Sequence, residues 1–235
     1  MARVALLAHG AGSTADAAVR LLHAALPPGV DPVGLDARGS LDQVVAAVSA
    51  AYDAHGAGHD VALVGGISLG AHAVATWASG RTDCPDLVLA MPAWTSGPDE
   101  VAALTAQAAR RIAEEGIAAE LDRLGREDAL RGDWVLDELV RAWAAYDDLA
   151  LSRALAQAAA SPGPGEAALR RITARTAVVA LGDDPLHPER VARRWAGLVP
   201  DSTLVVVPRR RPDTDRAALG RAARQALDRR PSGSR

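Results

Sequence analysis

A serine stands in Gly66-Ile67-Ser68-Leu69-Gly70, between the apolar run Val61–Val64 and a helix-like segment that continues to Ser79. Strand, sharp turn and helix in that order can hold a hydroxyl on a strained elbow, above a sheet and beside a helix N-terminus. Gly66 and Gly70 remove side chains where such a turn would collide with its neighbours. A hydroxyl so placed can attack a carbonyl and leave again through a covalent intermediate, the chemistry of acyl transfer. The plainer alternative is a small residue in a tight glycine turn.

That chemistry needs a proton carrier. The candidates are His9, His23, His55, His59, His72 and His187, and no histidine follows His187. His23 lies in a helical pattern, and His55 and His59 lie in a glycine-rich turn, so all three are expected to be structural or solvated. His72 is one turn beyond Ser68 on the same helix and is expected to point along the helix body, away from the elbow. His187 falls in Asp184-Pro185-Leu186-His187-Pro188, after an apolar strand-like run and at the sheet end where α/β folds place their sites. It could reach Ser68, or it could cap the helix that begins near Glu189.

The elements that position these residues alternate along the chain. Val4–Ala8, Val30–Leu35, Asp60–Gly65, Leu87–Met91, Thr176–Leu181 and Thr203–Val207 read as strands. Pro32 places the second of them at a sheet edge. Thr14–Leu26, Leu41–His55 with Ser40 as N-cap, Leu69–Ser79, Glu189–Leu198 and about Asp213–Asp228 read as helices. Alternation of this kind implies an α/β fold, with a parallel, doubly wound sheet of about six strands. Between Met91 and Thr176 it stops, and Asp99–Glu115, Ile117–Leu124, Leu130–Ala145 and Leu149–Ala160 read as successive helices closed by the linker Ser161–Gly165. The division is therefore core 1–93, a helical cap 94–172 inserted after the fourth strand, core 173–229 and a disordered tail 230–235. Trp94, Trp134, Trp143 and Tyr146 are candidates to line a pocket beneath the cap; the alternative is that they anchor its interior.

Composition narrows the function classes. The 235 residues suffice for a sizeable core, and the formal net charge of −3 gives no nucleic-acid surface. All 26 basic residues are arginine. The single cysteine, Cys84, cannot form an internal disulfide, and the N-terminus enters a strand with no leader pattern, so a cytoplasmic location is expected. No apolar run reaches the length of a membrane span. No metal-ligand cluster is present, and His9–Ser13 lacks the G-x-G-x-x-G spacing of dinucleotide binding, so neither metal nor cofactor is expected. The expected partner is a small-molecule substrate. Oligomeric state is open.

Four places together resemble the α/β-hydrolase fold family: the elbow, Ala8-His9-Gly10-Ala11-Gly12-Ser13, Asp36-Ala37-Arg38-Gly39-Ser40 and Leu181-Gly182-Asp183-Asp184-Pro185, in the family's order. The family's first two strands have no counterpart, so the sheet would be a reduced one. The resemblance implies Ser68 as nucleophile and Asp184 as the acid, with Asp183 or, more remotely, Asp99 as alternatives. It implies an oxyanion hole from the Leu69 N–H and one N–H of Gly10 or Ala11, with His9 bracing that loop or meeting substrate. The family's histidine follows the last strand, where this chain has Arg209-Arg210-Arg211. The Asp184-to-Pro188 segment resembles that of bacterial α/β-hydrolase-like proteins with no later histidine, which implies His187 as the base. The three arginines are either a solvated turn or, at Arg209, a guanidinium at the pocket rim that binds an anionic group. The resemblance implies a serine hydrolase of an ester or thioester. The alternative is a non-hydrolytic or catalytically silent relative that binds a small molecule, or catalyses a cyclisation or elimination, under the cap.

Overall fold

The computed structural model describes residues 3–55, 60–127 and 132–229. His59, the start of the expected helix at Leu130 and the expected tail 230–235 lie outside them. Six strands form one parallel sheet: β1 (Arg3–Ala8), β2 (Val30–Leu35), β3 (Val61–Ile67), β4 (Asp86–Ala90), β5 (Thr176–Leu181) and β6 (Ser202–Val207), in the order β2-β1-β3-β4-β5-β6. β2, with its proline, is an edge as expected.

Side chains alternate across the sheet and select the helices that cover each face. Val4, Leu6 and Ala8 belong to one buried cluster with α2 (Leu41–Ala54) and α3 (Leu69–Ala78). Ala5 and Leu7 belong to another with α1 (Ala15–Leu22) and the C-terminal helix (Ala218–Asp228). Each fully buried Leu or Val contributes about 1.5–3 kcal/mol by leaving water. A bulge between Val4 and Ala5 in the pairing with β3 lets Val61 join the first cluster and Leu63 the second. Local signals start the helices. Thr14 accepts from Ala17 N at the head of α1, and Ser40 and Gln43 form a reciprocal capping box at α2.

Between β4 and β5 lie α4 (Glu100–Arg126), α5 (Trp134–Trp143), α6 (Asp148–Ala159) and α7 (Glu166–Arg170). The break expected between two helices falls at Gly116, whose φ is 87° inside α4; Asp148 Oδ1 then accepts Ile117 N at 2.9 Å and restarts the helix. After β5 come α8 (Glu189–Leu198), α9 (Arg211–Thr214) and α10 (Ala218–Asp228).

Three boundaries differ from expectation. The first helix stops at Leu22 and continues only as a 3-10 turn, His23–Ala25, because Pro27 follows. The expected helix 213–228 is two, since Asp215 leaves helical geometry and its carboxylate accepts Ala217 N. The expected linker Ser161–Gly165 carries no helix, and the difference lies just beyond it in α7, five residues that are too short to show a period. Among the described residues no helix is long and apolar enough to cross a membrane.

The strand order reverses between β1 and β3. In an open α/β sheet the crevice at such a point, outside the carboxyl ends of the strands, is where sites form. The loop after β1 and the elbow after β3 flank it.

Candidate active site

Ser68 ends β3 and caps α3 with φ 54° and ψ −116°. A non-glycine residue held there costs about 1–3 kcal/mol, so the surroundings must over-determine it. They do so with backbone. Ser68 N donates to Ala90 O at 2.9 Å, and His72 N returns to Ser68 O at 3.0 Å. A Cβ on Gly66 would lie 2.2 Å from Gly70 C, and one on Gly70 would lie 2.3 Å from Ala8 O and 2.8 Å from His9 O. The two glycines therefore let the elbow close on itself and let the end of β1 press against the start of α3.

That approach brings the first loop to the serine. A Cβ on Gly10 would stand 3.2 Å from Ser68 Cβ and 3.8 Å from Ser68 Oγ. Leu69, the first residue of α3, has an N–H with no intrahelical acceptor. Leu69 and Gly10 thus flank one hydroxyl, and Ala11 follows Gly10 in the loop. His9 is 4 % exposed, and its Nδ1–H donates to Gly10 O at 2.8 Å. Its buried Nε2 faces Asp36 Oδ1 at 3.7 Å. Burial pushes the His9 pKa down, against the opposing pull of the Gly10 carbonyl and Asp36. This is a brace for the loop, and the expectation that His9 meets substrate gives way to it.

His187 reaches Ser68. Its Nε2 lies 3.0 Å from Ser68 Oγ, and its Nδ1 lies 3.0 Å from Asp184 Oδ2. Both bonds are satisfied by the tautomer with Nδ1–H donating to Asp184 and Nε2 accepting from the serine. Asp184 Oδ1 accepts Leu186 N at 2.9 Å, which fixes the carboxylate within its own turn. Burial pushes the Asp184 pKa up. The charge and hydrogen bond of His187, the Leu186 N–H and Arg209 together outweigh this and hold it down at about 2. Of the alternative acids, Asp183 is exposed, and Asp99 N-caps α4 through Val101 N. Helix α8 begins without a side-chain cap, so His187 is not its capping residue.

His72 lies as expected within the helix body. It is fully buried, accepts Ala93 N at Nε2 and packs edge-on against Trp94 at 4.9 Å. Burial, with a smaller contribution from nearby His187, lowers its pKa to about 3. His23 and His55 face backbone carbonyls of their own helices' last turns.

Of the alternatives open for the aromatics and arginines, burial and partners fit anchoring for the tryptophans and a solvated turn for Arg210 and Arg211, while Arg209 fits neither of its two. Trp94 is 5 % exposed and donates its indole N–H to Ser161 O. Trp134 is 2 % exposed, shares a buried cluster with Ile67 and Met91, and donates to Arg209 O. Both are anchors with their polar atoms engaged, not pocket lining. Trp143 is also buried, in the cluster of α4 and α6, with Nε1 against Gly12. Tyr146 donates to Ser13 O at 2.8 Å. Arg209 is no rim guanidinium: it is 13 % exposed and pairs with Asp133 and Asp184. Arg210 and Arg211, both more than half exposed, fit the solvated turn.

The sequence reading missed Asp133 as the partner of Arg209. Its signal was present, since an aspartate before Trp134-Val135 is an N-cap pattern, and Oδ1 does accept Val135 N. The pairing itself spans 76 residues and leaves no local trace. Among the described residues no group of three or more His, Cys, Asp or Glu could hold a metal ion.

No protein-family model matches the chain, and no curated protein sequence matches it. Solved structures do. MenH from S. aureus is similar with a TM-score of 0.70 at 14 % identity, over 91 % of this chain and 88 % of that one. A thermophilic esterase from Thermogutta terrifontis is similar with a TM-score of 0.70 at 17 % identity, over 96 % and 86 %. The enol-lactonase from Burkholderia xenovorans LB400 is similar with a TM-score of 0.68 at 18 % identity, over 88 % and 83 %. With the parallel sheet, the elbow after β3 and the helices between β4 and β5, these likenesses identify the chain as a protein of the α/β-hydrolase fold.

Proposed function

We propose that the chain is a serine hydrolase that cleaves an ester or thioester of a small molecule through an acyl-enzyme. The observation that carries this reading is the continuous relay from Ser68 Oγ to His187 Nε2 and from His187 Nδ1 to Asp184, at 3.0 Å each. A triad is recognised by such geometry and roles, whatever its order along the chain.

In the reaction Ser68 Oγ attacks the carbonyl carbon while His187 takes its proton. Asp184, ionised throughout the neutral range, holds the imidazole in register and stabilises the imidazolium that forms. The new oxyanion lies toward the N–H of Leu69 and that of Ala11 or Gly10, where preorganised donors need no reorganisation. His187 then gives its proton to the leaving alcohol or thiol, and the C–O or C–S bond breaks. In the second half water repeats the attack with His187 as base, releasing the acid and restoring Ser68. The similarity to a solved esterase and an enol-lactonase supports hydrolysis as the reaction class. The contact of His187 with Ser68 supports the hydrolytic reading, whereas the non-hydrolytic alternative rests on the lack of a histidine after β6.

The test is covalent labelling by a fluorophosphonate probe, followed by peptide mapping. Wild type is expected to label at Ser68, and Ser68→Ala and His187→Ala are expected to lose both labelling and turnover across a panel of acyl esters and thioesters of graded length. A folded wild-type protein that takes no label would sink the reading.

A further inference from the structure

Arg209 follows β6, the position where the resembling family keeps its histidine, and here it is wedged between two buried carboxylates. Nη1 lies 3.1 Å from Asp184 Oδ1, off the hydrogen-bond axis, so this contact is an ion pair more than a directed bond. On its other edge Nε and Nη2 both reach Asp133 Oδ2, at 3.0 and 2.9 Å. The carboxylates are 3 % and 0 % exposed at the side chain. Asp133 uses its other oxygen to cap α5. Its neighbour Trp134 donates from the indole to Arg209 O and from the backbone to Asp213. The loop after β6 and the head of α5 are therefore one cluster, and among the described residues Arg209 is the side chain that pairs with both Asp133 and the relay. A guanidinium suits this place because it is a rigid fork that stays charged when buried.

We propose that Arg209 is a positioning residue. It fixes the carboxylate of Asp184 from the side opposite His187 and thereby makes the relay's alignment depend on how α5 is seated. The proposal rests on the acyl-transfer reading. Asp184 has one oxygen toward His187 and one toward Leu186 N and Arg209. Without the guanidinium only a single backbone bond holds the second oxygen. The imidazole, held through Asp184, then loses its register with Ser68. The charged and titratable groups around the pair are Arg209 from the loop after β6, Asp133 behind it on the insertion, Asp183 beside Asp184 in the turn, Ser68 at the elbow and neutral His72 on α3.

The experiment compares Arg209→Met, Arg209→Lys, Arg210→Met and the double variant Arg209→Met/Asp133→Asn, reading kcat, KM, the pH profile of kcat/KM and thermal midpoint on one ester. Arg210 ties the same loop to Gly132 O without touching Asp184, so it is the control for loop anchoring. Misplacing a reacting group by about 1 Å can cost about 10²-fold, and a fall in kcat approaching that is expected for Arg209→Met with little change in KM. The acid limb of its pH profile should move to higher pH, since removing the cation makes the Asp184–His187 pair hold its proton more tightly. Lysine, a compact charge without the fork, should recover part of kcat. The double variant leaves no unpaired buried carboxylate at position 133. It should regain thermal stability while kcat stays low, which separates positioning from folding. Recovery of kcat together with stability, an unmoved pH profile, or an equal loss in Arg210→Met would overturn the proposal. Fluorophosphonate labelling of wild type is run alongside. An unlabelled wild type overturns the hydrolase reading and this proposal with it, whereas a labelled wild type and a fully active Arg209→Met overturn this proposal alone.

Discussion

The elbow and the helical insertion hold the same site by different means. The elbow is made of backbone. Ser68 sits at φ 54° because Gly66 and Gly70 leave room for main chain to touch main chain, and no side-chain rotamer is involved. The insertion grips the site with side chains: Tyr146 on Ser13 O, Trp143 against Gly12, and Asp133 on Arg209. A backbone contact at the packing limit has no graded loss; the turn either closes or does not. Side-chain contacts are worth about 1 kcal/mol apiece and can be lost singly. Ser68 thus stands on the part that cannot yield, while the insertion meets the neighbouring loops through contacts that can.

The largest effects should follow from the elbow. Ser68→Ala removes the proposed attacking atom and is expected to lower kcat by about 10⁶-fold, with the unfolding midpoint unchanged or raised, since alanine removes no packing. A retained turnover above one thousandth of wild type would place the chemistry elsewhere. Gly70→Ala acts on the fold instead. Its Cβ would meet Ala8 O at 2.3 Å, and overpacking of this kind costs about 1–3 kcal/mol, occasionally more. Gly197 in α8 is the contrast, because a Cβ there meets nothing within 4 Å and its φ is not positive. Gly197→Ala should stabilise by about 0.5–1 kcal/mol. Denaturant midpoints of the two alanine variants must move in opposite directions, and equal shifts would show that the close approach at the elbow carries no special cost.

A smaller effect tests the seam where α3 meets the loop after β4. His72 is held neutral in the fold, its pKa lowered from 6.5 to about 3. The unfolded chain binds a proton that the folded chain refuses, so acid favours unfolding. Stability should therefore fall as pH drops below 6.5, at up to about 1.4 kcal/mol per pH unit, until about pH 3. His9, also lowered, adds to this slope. Asp184 contributes in a lower window that overlaps the first between about 3 and 3.8: its stabilisation is complete above 3.8 and is lost as pH falls toward about 2. His72→Gln keeps an acceptor for Ala93 N and has no proton to refuse. Unfolding free energies measured between pH 7 and 5 should decline less steeply in the variant. An identical slope would mean that His72 is not excluded from protonation.

The same contrast explains what could be read from sequence. Strands, the edge position of β2, the cap at Ser40 and the break at Gly116 all depend on residues within a turn or two of one another. So does the elbow, and so does Asp184 with His187, three residues apart on one loop. Contacts that need a distant partner left no such trace. Trp134 and Trp94 read equally as pocket or anchor, because only the fold reveals that Arg209 O and Ser161 O take up their N–H groups. Arg209 read as part of a solvated turn or as a rim charge, since nothing near it in the chain announces Asp133. The resemblance points to the loop after β6 for a histidine; Arg209 stands there and pairs with Asp184, while His187 lies on the preceding loop.

The smallest effect tests whether the insertion's side-chain grip matters to the oxyanion loop. Tyr146 OH donates to Ser13 O at 2.8 Å, and Ser13 N in turn donates to Gly10 O, the carbonyl that His9 braces. Arg38 packs over the Tyr146 ring at 4.5 Å, so Tyr146→Phe keeps that contact and removes only the hydroxyl. One hydrogen bond is worth about 0.5–1.5 kcal/mol, and the global stability should fall by no more than that. If the bond also steadies the loop that presents the Gly10 and Ala11 amides, the loss should be larger in kcat than in KM, because the oxyanion exists only after attack. A change confined to stability, with kcat and KM both at wild-type values, would show that the oxyanion loop is set by the elbow's backbone alone and that the insertion only covers it.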